Sequence, residues 1–397
     1  MKRGKMMEKK IKLGIIGIGN MGTSHTKKIN AGMCPDIELV AVADTNAERM
    51  AYYKENIKSD VACFEDAIEM LDSGLIDSCI VATPHYDHAK YAIECMKRGI
   101  HVMVEKPAGV YTKQAREMNE EAEKHPEVVF GMMFNQRTNH VYRKVKELVD
   151  SGEYGQIRRA IWIITDWYRP QCYYDSGDWR ATWSGEGGGV LINQCPHQLD
   201  LWQWIVGMPS RVESHIHLGK WHDIEVEDDV TTYMEYENGA TGVFITSTGD
   251  AHGSNRFELQ LDRAKIVVEN DKISMLEFVM TEQEYSRTHV GKPVTMEAKE
   301  IIPETDGKNE QHVGVLNAWA GAILRGETLV AHGSEGINGL TLSNAMHLSG
   351  FLGKMVELPF DEDLYYEELS KRIATSRRKE NVRATYVDIE DTFAGNK

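Results

Sequence analysis

The sequence predicts two domains: an α/β domain on a doubly wound parallel sheet, then an α+β domain on a large, mainly antiparallel, open-faced sheet. Three observations predict this. At 397 residues the chain exceeds what one hydrophobic core comfortably serves. From residue 11 to about 134, short apolar runs alternate with stretches of helical spacing, the mark of parallel βαβ units. Beyond about residue 150 the runs lengthen and follow one another through turns, with no helix between them, the mark of antiparallel pairing. The boundaries are placed at residues 1–136 and 137–360, leaving 361–397 as a charged tail.

In chain order, strands are expected at residues 12–16, 38–43, 78–82, 101–104 and 128–132, runs rich in Val and Ile and too short for buried helices. Residues 86–98 and 113–124 carry helical spacing between them, and 139–150 carries it after them. In the second domain, strands are expected at 156–167, 211–218, 230–237, 240–248, 257–262 and 273–279, with Glu237-Asn238-Gly239 as one of the turns. Helices at 313–325 and 337–352 are expected to close that domain, with 356–359 a last extended piece.

Composition narrows the function. A formal net charge of −16 argues against nucleic acid and anionic membrane as partners, since both would repel it. No stretch approaches 18 uninterrupted apolar residues, and the basic residues 1–10 lead into a strand rather than a signal peptide. The six cysteines show no paired spacing and read as reduced thiols, so a cytoplasmic protein is expected.

Four groups of residues carry chemistry. Gly17-Ile18-Gly19-Asn20-Met21-Gly22 closes the first strand and opens a helix. Gly17 permits a tight turn, Gly19 lets backbone approach a pyrophosphate, and Gly22 lets helix and strand pack closely, with the helix N-terminus facing the phosphates. Asp44 ends the second strand, where a carboxylate bonds the ribose hydroxyls and repels a 2′-phosphate; Thr45-Asn46 follow with no arginine beside them, favouring NAD over NADP. Thr83-Pro84-His85, with His88, lies at the carboxyl edge of the sheet, where α/β folds bind ligands. His85 and His88 have no evident third ligand, so no metal site is read.

Glu105-Lys106-Pro107 ends another strand, and Lys106 is a candidate base. A lysine, with an ordinary pKa of about 10.4, becomes effective only when shifted toward ~7–8. Gly187-Gly188-Gly189 precedes Asn193, His197 and Asp200; Asn193 and His197, four apart, would share one helix face. Pro196 is expected to open that helix locally, as suits a site.

The order and spacing of these motifs over residues 10–360 resemble the Gfo/Idh/MocA family of sugar and cyclitol oxidoreductases. The resemblance implies an N-terminal Rossmann domain, NAD as cofactor, and a sugar, glycoside or cyclitol substrate. It places Thr83, Pro84, His85 and His88 on the nicotinamide side, with Glu105, Lys106 and Gln136 also against the cofactor. Lys106 would contact the reacting hydroxyl, with His197 sharing the proton work. Many members carry aspartate where this chain has Asn193, which cannot act as a base but can position a hydroxyl; the resemblance places the same asparagine among pyranose and nucleotide-sugar C3 dehydrogenases. Arg137 matches a position lining the substrate cleft.

Six of the eight tryptophans lie between Trp162 and Trp204. Trp162, Trp202 and Trp204 read as core, whereas Tyr168, Arg169, Trp179, Arg180 and Trp183 read as a substrate loop, its aromatic faces against pyranose C–H groups and its arginines on hydroxyls. The expectation is an NAD-dependent dehydrogenase oxidising a ring hydroxyl, C3 foremost. Three alternatives stay open: redox-neutral glycoside cleavage through a 3-keto intermediate, an inositol or cyclitol dehydrogenase, and a non-catalytic NAD-binding subunit. A homodimer or homotetramer is expected, because an open-faced sheet must cover its outer surface.

Overall fold

The computed structural model of the chain describes residues 9–57 and 60–377, together with Lys379 and Val382. The basic segment before residue 9 and most of the charged tail lie outside the described residues. The described residues divide into two compact units, one holding those up to Thr138 with Glu310–Ile337, the other Asn139–Asn309 with those from Asn338 onward.

In the first unit, β1 (Ile11–Ile16), β2 (Ile37–Ala43), β3 (Ala62–Phe64), β4 (Ser78–Val81), β5 (His101–Val104) and β6 (Phe130–Met132) form one parallel sheet. Its order is β3-β2-β1-β4-β5-β6, so strand order reverses between β1 and β4, the place beyond whose carboxyl ends open α/β sheets bind ligands. Leu13, Ile15, Val42, Ile80 and Met103 are buried in its core, against Val315, Leu316 and Trp319 of the helix Gln311–Arg325. That helix was expected to close the second domain. Its apolar residues instead cover the parallel sheet, a long-range pairing that periodicity does not register.

The second unit holds a nine-stranded sheet: β7 (Ile157–Ile164), β8 (Arg211–Leu218), β9 (Glu227–Glu235), β10 (Thr241–Ser247), β11 (Asn255–Leu261), β12 (Ala264–Glu269), β13 (Lys272–Phe278), β14 (Ala298–Ile301) and β15 (Val356–Glu357). The order is β14-β13-β12-β11-β7-β10-β9-β8-β15, antiparallel except where β10 runs parallel to β7. On one face Trp162 stacks on Phe257 with centroids 4.4 Å apart, and Trp202 of the helix Pro196–Ile205 meets Phe244 edge-on. On the other face alternate residues of β8, β9 and β13 reach solvent. The helix Glu362–Thr375, capped by Asp361, buries Tyr365 and Leu369, so the first part of the charged tail is packed structure. Among the described residues, no helix is long and apolar enough to cross a membrane.

Candidate active site

The glycine turn is built to admit a dinucleotide. Gly17 has φ +90°, and a Cβ there would come within 2.6 Å of the Ala82 carbonyl; one on Gly22 would strike the Gly17 carbonyl. The helix Asn20–Asn30 starts directly after Gly19, with no side-chain cap and no acidic residue in its first turn, so the amides of Asn20, Met21 and Gly22 meet an anion unopposed. Asp44 Oδ2 accepts the Ile18 N–H at 2.9 Å and Oδ1 the Asn46 N–H at 2.8 Å, tying the carboxylate to the turn. A residue the sequence analysis missed stands here. Arg49, in the first turn of the helix Ala47–Asn56, holds Nη1 3.5 Å from where a Cβ on Gly19 would sit. Arg49 lies five residues past Asp44, and the helix turn brings it back beside the glycine loop. The absence of an arginine beside Asp44 in the sequence therefore carries no argument for NAD over NADP.

At the carboxyl end of β4, Thr83 Oγ1 is buried without a hydrogen-bond partner, an orphaned group of the kind a bound cofactor satisfies. Pro84 is exposed and His85 buried. His88 Nδ1 lies 2.6 Å from the Pro107 carbonyl and Nε2 2.8 Å from that of Thr83, so the ring staples the two edge loops together. Burial takes the His88 pKa below the ordinary histidine value, with the two carbonyls pulling against it. The glycine cradle and the orphaned hydroxyl fit a nicotinamide dinucleotide, with Gly17, Gly19, Gly22, Asp44 and Thr83 as the residues to hold it.

Glu105 is buried at the end of β5, its Oε1 2.7 Å from His25 Nε2 and its Oε2 accepting the Lys106 N–H at 3.2 Å. Burial raises the Glu105 pKa, but the hydrogen bond and charge of His25, helped by His312 and Lys106, overcome this and hold the carboxyl down at about 2. Lys106, half-buried, thus leaves the sheet from a locked backbone. Gln136 donates to Gln311 at 3.3 Å. Arg137, expected on the substrate, is 3% exposed and ion-paired with Glu335 at 2.7 Å, so its charge is neutralised inside the first unit.

In the second unit, Gly187 and Gly188 take positive φ, and a Cβ on Gly189 would collide with the Glu227 carbonyl. The buried Glu227 carboxylate accepts the amides of Gly189 and Leu191 at 2.9 and 3.0 Å. Its Oε2 lies 3.1 Å from His347 Nε2, close enough for charge attraction though poorly aligned for a hydrogen bond. Asn193 is not on a helix with His197: it sits in the turn, and the helix begins at Pro196. Proline at the first helical position loses no hydrogen bond, so Pro196 opens nothing and gives no support to a site. His197, the next residue, is buried. Asp200, also buried, accepts from Gln203 at 3.1 Å and reads as structural.

Asn193 Nδ2 donates to the buried carboxylate of Glu186 and, at 3.3 Å, to the Tyr173 hydroxyl. Glu186, beside the glycine run, was a readable signal that the sequence analysis passed over. Of the aromatic loop, Tyr168 is exposed and Trp179 and Arg180 are half-buried. Arg169 is buried but packs on Tyr173. Trp183, expected on the substrate, is core: its indole N–H bonds the Glu225 carbonyl at 2.9 Å and its ring meets His347 and Phe351.

Comparison with known proteins agrees with the two halves of the fold. Residues 11–132 match the family description "Oxidoreductase family, NAD-binding Rossmann fold", and residues 142–267 match "GFO/IDH/MocA C-terminal domain". Myo-inositol 2-dehydrogenase of Thermotoga maritima is 25% identical over 285 residues, covering 70% of this chain and 80% of that one. D-glucoside 3-dehydrogenase of Escherichia coli is 26% identical over 252 residues, 59% of this chain and 69% of that one. The crystal structure of the WlbA dehydrogenase of Chromobacterium violaceum, in complex with NADH and UDP-GlcNAcA, shares the fold with a TM-score of 0.75 at 24% identity, over 90% of this chain and 98% of that one. With the glycine cradle, the locked lysine and both halves matched, this chain belongs to the Gfo/Idh/MocA oxidoreductases, as an NAD-dependent dehydrogenase of their sugar and cyclitol kind.

Proposed function

We propose that the chain oxidises a ring secondary hydroxyl of a sugar or glycoside, at C3, with Lys106 as the base. The observation that carries this is the buried His25–Glu105 pair, which fixes the backbone from which Lys106 projects at the carboxyl edge of the parallel sheet. NAD, when bound, supplies the hydride acceptor. The chain's own work is to take the hydroxyl proton and hold the ring. Lys106 Nζ receives that proton as the carbon loses its hydride, so the two charges never build up separately. Asn193, its amide anchored on Glu186, presents a fixed dipole to a neighbouring hydroxyl, and His197 shares the proton traffic. The relative named a D-glucoside 3-dehydrogenase supports C3 over other ring positions. Asp44, Asn20, Met21 and Gln136 are assigned to the cofactor. A homo-oligomer is inferred from the solvent-facing side of the nine-stranded sheet.

The test is incubation with NAD and a panel of pyranosides, cyclitols and nucleotide sugars, following NADH absorbance and product mass together. Loss of two hydrogens with stoichiometric NADH at one panel member is expected, with the ketone located at C3 by NMR. An aglycone released without NADH overturns the reading in favour of redox-neutral cleavage.

A further inference from the structure

Two guanidinium groups share one tyrosine in the second unit. Arg169 Cζ lies 5.0 Å from the Tyr173 ring centroid and Arg180 Cζ lies 4.7 Å from it. Arg169 is only 8% exposed; its Nη1 donates to the Tyr168 carbonyl at 3.1 Å, and its buried Nε has no hydrogen-bond partner. Arg180 donates from Nη1 to the Tyr173 hydroxyl at 3.0 Å and from Nε to Ser176 Oγ at 3.1 Å.

Among the described residues neither arginine has a carboxylate partner, although Arg98, Arg137, Arg256 and Arg372 all do. The acidic groups near the loop are engaged elsewhere. Glu186 accepts from Asn193 and from the Ala181 N–H, and Asp175 faces Gln171 and Lys379. Stacking on tyrosine returns part of what a cation loses on leaving water, but a buried guanidinium with an idle N–H is costly until an anion completes it. A planar fork of donors is shaped for carboxylate or phosphate oxygens, and here two such forks flank one ring. The Tyr173 hydroxyl that receives Arg180 also receives the Asn193 amide at 3.3 Å, so the arginine pair adjoins the residue assigned to the ring hydroxyls.

We infer that the sugar oxidised here carries an oxyanion, a carboxylate or a phosphate ester, and that Arg169 and Arg180 receive it. The inference rests on the reading that the substrate lies against Asn193.

The test is titration calorimetry of the NADH-loaded protein at low and high salt with methyl glucoside, methyl glucuronide, glucose 6-phosphate, UDP-glucuronate and inorganic phosphate. One anionic sugar is expected to bind at least about tenfold tighter than the neutral glucoside, the worth of a hydrogen bond to a charged group, and to lose that margin with salt. The carboxylate and phosphate arms identify the oxyanion. Arg180→Gln should erase most of the margin between anionic and neutral sugar; Arg169→Gln should do the same if its melting temperature is retained. Equal affinity for neutral and anionic sugars, a margin that survives Arg180→Gln, or binding of inorganic phosphate alone overturns the inference. Turnover of a neutral pyranoside without an anionic preference sinks only this step. Unchanged sugar affinity in Asn193→Ala sinks the reading beneath it.

Discussion

The carboxamide of Asn193 donates to the buried carboxylate of Glu186, so the position where the family resemblance leads one to expect aspartate is here the neutral half of the pair. Asparagine is not a weakened aspartate in this chain; the negative charge resides seven residues earlier and also holds the Ala181 N–H at 2.6 Å. Asn193→Asp would set two carboxylates within hydrogen-bond reach, where both cannot ionise at once and the pair titrates with one pKa raised. We expect kcat/KM at pH 8 to fall by about tenfold or more, with partial recovery toward pH 6 and restoration by adding Glu186→Gln. Identical pH–rate profiles for Asn193→Asp and the unaltered protein would show the two positions uncoupled.

Asp44→Ala should raise the Kd for NAD by roughly tenfold or more while changing that for NADP far less, since the lost carboxylate both bonds the ribose and repels a 2′-phosphate. Arg49 beside Gly19 sharpens the contrast, because once Asp44 is gone a guanidinium faces the phosphate. Fluorescence titration with both reduced cofactors checks it. An equal loss for the two would make Asp44 only the anchor of Ile18 and Asn46.

Lys106→Met should cut turnover by roughly 10²–10⁴ and leave the NAD Kd within a few-fold of normal, as befits a proton acceptor rather than a cofactor clamp. His197→Ala should also be severe. Pre-steady-state and steady-state NADH formation read both, and near-normal turnover in His197→Ala would remove that helix from the proton path.

Stability should fall in acid in two stages. Burial, with the nearby charges of His25, Lys28 and Lys106, takes His312 down to about 3, although Glu105 pulls the other way. Its folded pKa lies below the unfolded value near 6.5, so its contribution is complete above pH 6.5 and is lost as pH falls from there toward 3. Glu105, held at about 2 against an unfolded value near 4.5, contributes fully above pH 4.5 and is lost below it. The melting temperature should therefore decline from pH 6.5 downward and more steeply below 4.5. His312→Gln should flatten the first stage alone, and a scan in which that variant keeps the full slope would acquit His312.

The sequence disclosed what local spacing determines. The glycine turn, Asp44 and the Glu105-Lys106-Pro107 corner are contiguous motifs at strand ends, and the structure places each at the carboxyl edge of the parallel sheet, after β1, β2 and β5. What escaped was tertiary. Ala264–Glu269 went unread as a strand because Asp262-Arg263 joins it to its neighbour with no glycine or proline to mark the turn. Pro196 was read as a break inside a helix because nothing local shows that the helix starts there. Trp183 was read as a ligand contact by residue type and Arg137 by the family resemblance, and the sequence could not show that each also holds a partner far along the chain, Glu225 and Glu335. Arg49 and Glu227 were overlooked for the mirror reason, since their roles depend on partners that folding brings up, whereas Glu186 stood in plain sight beside the glycine run.

The helix Gln311–Arg325 makes the cofactor unit discontinuous, since the chain leaves it at Thr138 and re-enters at Glu310. A gene fragment ending near residue 138 would strip Val315, Leu316 and Trp319 from the parallel sheet and present a greasy, sticky face to water. Recombination between relatives must therefore exchange two segments together, and a single crossover would yield a chimera whose nucleotide half wears another protein's lid.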